Sequence, residues 1–516
     1  MNNKREVKGI HALSPMQEGM LFHALKEPDS SAYFEQFACT LKGTLHIDKL
    51  QKCLNLLIAK YDILRTNFYH EQLKSPKQIV FKEKQLHIQV EDWSDLSEEA
   101  FQSGLNAFME QDQQTGFDLA KDMLMRVTIL IYGEKQYRLI WSYHHIVMDG
   151  WCLRRIVQEI MQLYEQLIEE NQADPGFARP YSDYIKWLEQ QDKQEAMAYW
   201  SEYLSGYEGY GGIPGKEQGR LAKPQTDHRE QRFVIPSEIA DRLEKLARTH
   251  QTTLNVVMQA AWGLLLSTYN QTNDVVFGMV STGRPAEIEG VEQMIGLFIN
   301  TIPLRIRTED QDTVGQLLDK VQQSLMESQQ YDYVPLAHIQ AQSAPKRTLI
   351  DHIVTFQNFS QEEATPEHSP KLGFEILDEA DYEQTHYDFT LMIMPNQGLD
   401  ILVKYNSASL HEASVERMAR HYMHVLETIS SCSHERLDQL HFLTEQERRE
   451  IVHVFNESGK RDAERTGGAW NRTIPELFAE QVALYPDELA LVEANRHLTY
   501  RQLDAKAERL AQQLRD

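Results

Sequence analysis

The sequence predicts an α/β fold. Segments with helical spacing alternate with strand-like runs along the whole chain, the pattern of helices packed on sheets. Hydrophobic residues make up 41% and charged residues 25%, ordinary for a chain that buries a globular core. No short-period repeat interrupts this alternation. At about 150 residues per domain, 516 residues predict roughly three units.

The elements follow in order. Leu50, Leu54, Leu57, Ile58 and Tyr61 recur at helical spacing, and Arg65 to Phe68 leads into strand-like sequence. Tyr137 to Tyr143 is a strand, and Ile156, Ile160, Leu163, Tyr164 and Leu167 mark one face of a long helix. Polar, proline-containing sequence interrupts at Asn171 to Pro180, and Gly206 to Gly215 reads as a mobile connection. Strand and helix signals resume at Gln231 to Ile235 and Ala240 to Ala247. They continue through a helix at Leu254 to Tyr269, strands at Asp274 to Val280 and Leu399 to Tyr405, and a helix at Ser414 to Ile429. Asn456 to Thr473 is a linker with no hydrophobic period. Beyond it lie a helix at Ile474 to Tyr485, a short strand at Leu489 to Glu493 and a helix at Tyr500 to Leu514. These roughly 45 residues are too few for a core of their own and read as the opening of a further domain.

Composition narrows the function. A net charge of -25 disfavours nucleic acid and anionic membrane as partners. No apolar run approaches the roughly 20 residues that span a bilayer, and the charged N-terminus lacks a signal core. Cys39, Cys53, Cys152 and Cys432 are too scattered for a disulfide framework or a thiolate metal site. A cytoplasmic protein is expected. No metal site is expected either: there is no HExxH, and His421 and His424 read as an exposed helix face. No GxSxG elbow or phosphate loop is present.

The chemistry-bearing segment is His144-His145-Ile-Val-Met-Asp149-Gly150-Trp151, between a strand end and a helix start. Only imidazole has an unperturbed pKa near neutrality, so a fixed histidine there can take and return a proton. Asp149 could orient that ring, pair with an arginine, or simply cap the helix. The pair of histidines could equally be structural.

The flanking motifs give the segment a family. HHIVMDG has the HHxxxDG form of the condensation domains of nonribosomal peptide synthetases, and the sequence resembles that family over about its first 445 residues. Leu13 to His23 (LSPMQEGMLFH) is similar to the opening motif. Tyr61 to Phe68 (YDILRTNF) is similar to the second, with Tyr61-Asp62 where the family usually has His-Glu. Tyr181 to Trp187 (YSDYIKW), Asp274 to Pro285 (DVVFGMVSTGRP) with Ile295 to Arg305, Tyr331 to Ile339 (YDYVPLAHI) and Leu349 to Phe359 (LIDHIVTFQNF) follow in the family's order. Ile474 to Phe478, Tyr485 to Asp487 and Leu498 to Leu503 resemble the start of an adenylation domain without its ATP loop, so this chain is not expected to activate an amino acid.

The resemblance implies two chloramphenicol-acetyltransferase-like lobes forming a V-shaped pseudo-dimer with a central tunnel. The lobes would span residues 1–175 and 176–445, followed by a linker at 446–473 and an adenylation fragment at 474–516. It implies amide formation between an upstream acyl or peptidyl thioester and the amine of a downstream aminoacyl thioester. Both would arrive on phosphopantetheine arms of carrier proteins, with no cofactor bound by the domain itself. His145 would be the catalytic residue, as proton acceptor or as hydrogen-bond acceptor for the amine. His144, Asp149, Gly150 and Arg284 would hold the loop, Asp149 pairing with Arg284 across the lobes and Gly150 allowing a sharp turn. Trp151, Tyr184 and Asn300 would either line the tunnel or support it.

SPMQEGMLFH and HHIVMDGWC are most similar to the subtype that accepts a D-terminal donor and adds an L-residue. That subtype, with a first motif so close to Met1, implies an upstream synthetase subunit ending in an epimerization domain and a downstream adenylation domain of the same module. The related epimerization activity, alone or combined with condensation, shares the fold and the HHxxxDG element. Non-catalytic recruiting modules of the same fold commonly lose the second histidine, which is present here.

Overall fold

The structure is a computed structural model that describes residues 6–28, 30–209, 211–216, 228–342, 349–357, 371–395, 398–432, 434–455, 472–493 and 496–515. It divides into two compact units, residues 1–442 and 443–516. The fold is α/β throughout.

The first unit carries three sheets. A small one joins β1 (Val7–His11), β3 (Thr66–Tyr69) and β4 (Lys77–Phe81) in the order β1-β4-β3. The second contains β2 (Phe34–Gly43), β5 (Gln89–Asp92), β6 (Met125–Tyr132), β7 (Gln136–His144) and, from far along the chain, β12 (Phe374–Glu383), in the order β12-β2-β7-β6-β5. The third orders β8 (His228–Ile235), β9 (Asp274–Ser281), β10 (Asn300–Arg307), β11 (Ile353–Phe356), β13 (Phe389–Pro395) and β14 (Leu399–Asn406) as β10-β9-β11-β13-β14-β8.

Helices cover the sheets because their apolar stripes demand it. Helix α1 (Pro15–Lys26) starts with a capping box at Ser14 and Gln17, with Pro15 in its first turn. Helix α2 (Ile47–Lys60) buries Leu50, Leu54, Leu57 and Ile58, and α3 (Glu98–Thr115) buries Phe101 and Leu105. Helix α4 (Gly150–Glu169) buries Ile156, Leu163, Tyr164 and Leu167. In the second half, Leu254–Asn270 is buried along most of its length, and Glu412–Ser431 packs its apolar face into the same core.

The two main cores exchange segments, so a single cut near residue 175 does not separate them. Tyr181, Tyr184, Ile185 and Leu188 of the region holding α5 (Ser182–Gln190), together with Val291, Met294, Ile295, Leu297, Phe298 and Leu372, pack in the first core. Strand β12 completes the sheet of that same core.

Two expectations are corrected. Gly206 to Gly215 is no loose connection: Tyr207 and Ile213 are buried in the second core, and a Cβ on Gly211 would stand 3.0 Å from the backbone of Val276. His421 does not sit on an exposed face. It is buried and its Nδ1 lies 2.5 Å from the Tyr269 hydroxyl, because the helix turns it toward the neighbouring helix; His424 is half-buried.

The second unit holds a short helix (Glu445–Arg449) continued by a wide turn (Glu450–Val454), then a helix (Ile474–Leu484), a hairpin of β15 (Leu489–Glu493) and β16 (Arg496–Thr499), and a helix (Tyr500–Arg515). The described start of the expected linker is thus helical, while most of Asn456 to Thr473 lies outside the described residues, as do Asn358 and Phe359 of the last motif. None of the described residues of this unit is buried.

The second motif has a structural task. The guanidinium of Arg65 donates to the carbonyls of Ile58 (2.6 Å) and Ala59 (2.8 Å) at the end of α2 and of Phe81 (2.8 Å) on β4, and it pairs with Asp62. It therefore satisfies carbonyls that a helix end leaves open. Replacing Arg65 with Met is expected to lower the unfolding free energy by about 3 kcal/mol, since three carbonyl acceptors lose their donor and Asp62 keeps only the exposed Lys8; urea denaturation measures it.

Candidate active site

Antiparallel pairing builds the site at one end of the second sheet. β2 runs against both β7 and β12, so its first residues meet their last. Phe34 faces His144 and Glu35 faces Glu383. His145 follows β7 directly, in a single helical turn spanning His145–Val147.

That turn is held by backbone bonds. The N–H of His145 donates to the carbonyl of Tyr33 (2.8 Å), and the N–H of Tyr33 donates to the carbonyl of Gln384 (2.8 Å). Tyr33 is buried and has φ +69°, a conformation a bulky residue adopts only when its surroundings enforce it. Its hydroxyl contacts Nδ1 of His386, whose ring stacks on His23 at 3.8 Å. From the other side, the Gln17 side chain donates to the carbonyl of Ile146 (3.2 Å). The opening motif thus clamps the HHIVMDG loop through a residue that also caps α1.

The two histidines differ. His144 is buried, and its Nδ1 accepts the N–H of Ile146 (3.1 Å), which leaves the ring proton on Nε2. Burial, and then the neighbouring His145, push it down to about 3, so it stays neutral. His145 is half-buried, and its Nδ1, an atom that is itself buried, has no hydrogen-bond partner among the described residues. That nitrogen is not committed to a structural bond.

Asp149 caps α4 by accepting the N–H of Cys152 (3.3 Å). It also accepts from Arg284 (3.2 Å), from the backbone N–H of Phe298 (3.1 Å) and from the Cys152 thiol (3.1 Å), which burial pushes up to about 12. Asp149 and Arg284 side chains are 1% and 7% exposed. Arg284 further donates to the carbonyls of Val291 (2.7 Å) and Met294 (3.1 Å) and lies 4.0 Å over the Phe298 ring. Burial works against its charge, but Asp149 and Cys152 outweigh burial and hold Arg284 above its ordinary value.

Gly150 does not make the sharp turn expected of it. It opens α4 and is not among the residues with positive φ. The special backbone belongs to Gly283 (φ +58°), where a Cβ would collide with the Phe298 carbonyl, and to Gly296, where it would collide with the Tyr181 ring. Both allow the 291–298 loop to close on the Asp149–Arg284 pair. Trp151 is 42% exposed, its indole donating to the carbonyl of Glu292 (3.2 Å). Tyr184 is buried against Phe298, their ring centres 4.7 Å apart. Asn300 donates to the carbonyls of Asp332 (2.6 Å) and Val334 (2.9 Å) and accepts the N–H of Thr301. Packing and backbone bonds engage both of these side chains.

Sequence reasoning missed Tyr33, Glu35, Glu383 and His386. No motif marks them, and Glu35 and Glu383 meet across strands more than 300 residues apart. A cavity of about 330 Å³ opens beside His144, lined among others by Leu21, His23, Phe34, Phe68 and His386. Among the described residues, Glu35, His145 and Glu383 bring potential metal-ligand atoms within 4.8 Å of one another.

The sequence profile described as the condensation domain matches residues 7–452, and the chain belongs to that family. A mycosubtilin synthase polypeptide of Bacillus subtilis is 40% identical over 519 residues, covering 99% of this chain and 19% of that protein. Gramicidin S synthase 2 of Brevibacillus brevis is 38% identical over 515 residues, covering 99% of this chain and 11% of that one. The chain therefore spans less than a fifth of either relative. A four-domain nonribosomal peptide synthetase bound to AMP and glycine matches with a TM-score of 0.73 at 20% identity, over 99% of this chain and 39% of that one. The condensation domain of a monacolin K polyketide synthase matches with a TM-score of 0.68 at 20% identity, over 84% and 100%. The α/β fold is that of the solved condensation domains.

Two outcomes follow from the geometry. Removing either charge of the Asp149–Arg284 pair strands the other in a buried site, at a cost of about 3–5 kcal/mol. Asp149→Asn is expected to cost more than Arg284→Met, because the carboxylate also serves two backbone N–H groups; urea denaturation of both variants gives the order. The second outcome concerns acid. His144 and His386 are both held down to about 3 by burial, so the unfolded chain takes up their protons near pH 6.5 while the folded chain does not. Their contribution to stability is complete above pH 6.5 and is lost as pH falls toward 3. His386→Asn is expected to reduce the stability loss between pH 7 and pH 5 by about 1–2 kcal/mol, read from denaturation at both values.

Proposed function

We propose that this member of the condensation-domain family forms an amide between two carrier-bound substrates. The donor is an upstream peptidyl or aminoacyl thioester ending in a D-residue, and the acceptor is the amine of a downstream L-aminoacyl thioester. Each arrives on the phosphopantetheine arm of a carrier protein, and the domain itself needs no cofactor. The observation that carries this reading is His145. Its backbone is fixed from two sides, by Tyr33 and by Gln17 through the adjacent carbonyl, while its ring Nδ1 is left without a structural partner.

In the reaction a C–N bond forms as the C–S bond breaks. The attacking nitrogen loses one proton and the sulfur leaves as a thiolate that gains one. His145 accepts the proton from nitrogen, or holds the amine by a hydrogen bond while it leaves, and the neutral neighbour His144 keeps a second positive charge away. Asp149 and Arg284 act by fixing the loop. A central tunnel between two lobes would hold both thioesters within reach and make attack effectively intramolecular.

The D-donor preference rests on SPMQEGMLFH and HHIVMDGWC. With it go a donor carrier on an upstream polypeptide ending in an epimerization domain and a cytoplasmic setting. No described helix is long and apolar enough to cross a membrane. The uncovered helices and hairpin of residues 474–515 support the start of an adenylation domain of the same module.

Single-turnover condensation with D- and L-epimers of one donor on the same carrier tests the reading. The D-donor is expected to react much faster, and His145→Ala to form amide about a hundredfold more slowly with its fold intact. Equal rates or an L-preference would overturn the stereochemical assignment alone. An unchanged rate in His145→Ala would overturn the chemistry assigned to the site, and inversion of the donor before transfer would assign epimerization.

A further inference from the structure

We propose that the cavity beside His144 is a side-chain subsite of this reaction, taking an uncharged carboxamide side chain of a carrier-bound aminoacyl group. The inference rests on the amide-forming reading given above and names what the site selects. The cavity holds about 330 Å³, more than twice the roughly 150 Å³ that accommodates a benzene ring, so size alone admits any ordinary side chain. Its described lining includes His144 but not His145, Glu35 or Glu383, which sets it beside the reacting atoms and not over them. His144 and His145 are consecutive, so their Cα atoms lie about 3.8 Å apart. A substrate whose carbonyl sits at His145 has its side chain at the His144 edge of the cavity.

Chemistry selects within that size. Nδ1 of His144 accepts the N–H of Ile146, so the ring carries its proton on Nε2. His144 is 6% exposed, yet that N–H has no acceptor among the described residues and, unlike Nδ1 of His145, is not sealed within the protein. A fixed donor at the wall of a cavity calls for an acceptor atom. Gln113 lines the same cavity. Its NH₂ group donates to Gln36 (3.4 Å), and its side-chain carbonyl oxygen has no donor among the described residues. One open donor and one open acceptor match the oxygen and the NH₂ group of a carboxamide.

Charge excludes the alternatives. No lysine or arginine stands in the described lining, whereas the exposed Glu27 and Asp118 do, so an anionic side chain is repelled. His23 and His386 also line the cavity, but their rings stack at 3.8 Å and burial lowers both from the ordinary histidine value. They form a flat neutral wall. An apolar side chain of the same shape displaces water from the polar groups without replacing its hydrogen bonds, which loses affinity.

The test uses the whole chain with both carrier-bound substrates in single-turnover condensation. Glutamine, its apolar isostere homoleucine and glutamate are placed in turn at the end of the donor, against a fixed acceptor, and then on the acceptor, against a fixed donor. In one of the two positions glutamine is expected to react about tenfold faster than either analogue, and that position names the source of the side chain. Ala24→Phe, on α1, and Thr115→Trp, at the exposed end of α3, put bulk into the cavity and are expected to bring the ratio to about one. Damage to the fold alone slows all three substrates alike and leaves the ratio at its parental value; that result in both variants overturns the proposal. Equal rates for the three side chains at both positions overturn it too, and with a slow His145→Ala they leave the reading of His145 standing. A second measurement bypasses the chemistry: calorimetric binding of the pantetheine amides of glutamine and homoleucine, stable analogues of the thioesters. The glutamine compound is expected to bind the parent about tenfold more tightly than the homoleucine compound, and Ala24→Phe to bind both alike. Equal binding by the parent overturns the subsite. If His145→Ala condenses at the parental rate while the binding preference holds, the reading of His145 falls and the subsite stands.

Discussion

One carboxylate, that of Asp149, holds three parts of the molecule together through four bonds. It caps α4, accepts the backbone N–H of Phe298, binds the Cys152 thiol and pairs with Arg284. Arg284 in turn carries the carbonyls of Val291 and Met294. A buried ion pair of this kind has no margin for an unmatched partner. The loop from Val291 to Phe298 must therefore close over it, and that closure brings the second half of the chain into the first core. At Gly283 and Gly296 this closure leaves no room for a side chain. The ion pair ties the start of α4, just after the loop that carries His145, to this second segment.

The other end of that loop is set by sheet geometry. His145 stands where three strand ends converge, and Tyr33 links two of them by donating to Gln384 and accepting from His145. The positive φ of Tyr33 is strain held at the site by its neighbours, since the ring is pinned between His386 and the core. Gln17 completes the frame from α1. What results is one imidazole with a fixed backbone beside a second that cannot take a proton near neutrality. Burial and the bond to the Ile146 N–H set one of two adjacent, chemically identical side chains apart from the other.

Much of this was legible in the sequence. Helical spacing located α2, α4 and the helix Leu254–Asn270 to within a few residues, because apolar stripes are local and must be buried. The HHIVMDG segment marked the junction of a strand and a helix, and the cap at Asp149 follows from residue type and position. The motif order identified the family that the profile over residues 7–452 also identifies. Other readings failed where the environment, not the local pattern, decided. Gly150 looked like the special glycine but helical backbone suits it, whereas Gly283 and Gly296 answer to partners brought in from elsewhere. His421 looked like a surface residue until a neighbouring helix covered it. Gly206 to Gly215 has the composition of a loose connection, but Tyr207 and Ile213 are buried and Gly209 and Gly211 lie against β9.

The sequence by itself therefore determined the α/β class, the main helices and strands, the family, and the segment carrying His145, all of which depend on spacing within a window of a few turns. Only the tertiary structure decided that β12 crosses to the sheet of β2, that Tyr33 adopts its strained backbone, and that Glu35 and Glu383 meet beside His145. The reason is physical. A strand's partner and register are chosen by long-range burial and hydrogen bonding, and no residue in Phe374–Glu383 carries a local mark of a partner more than 300 positions upstream.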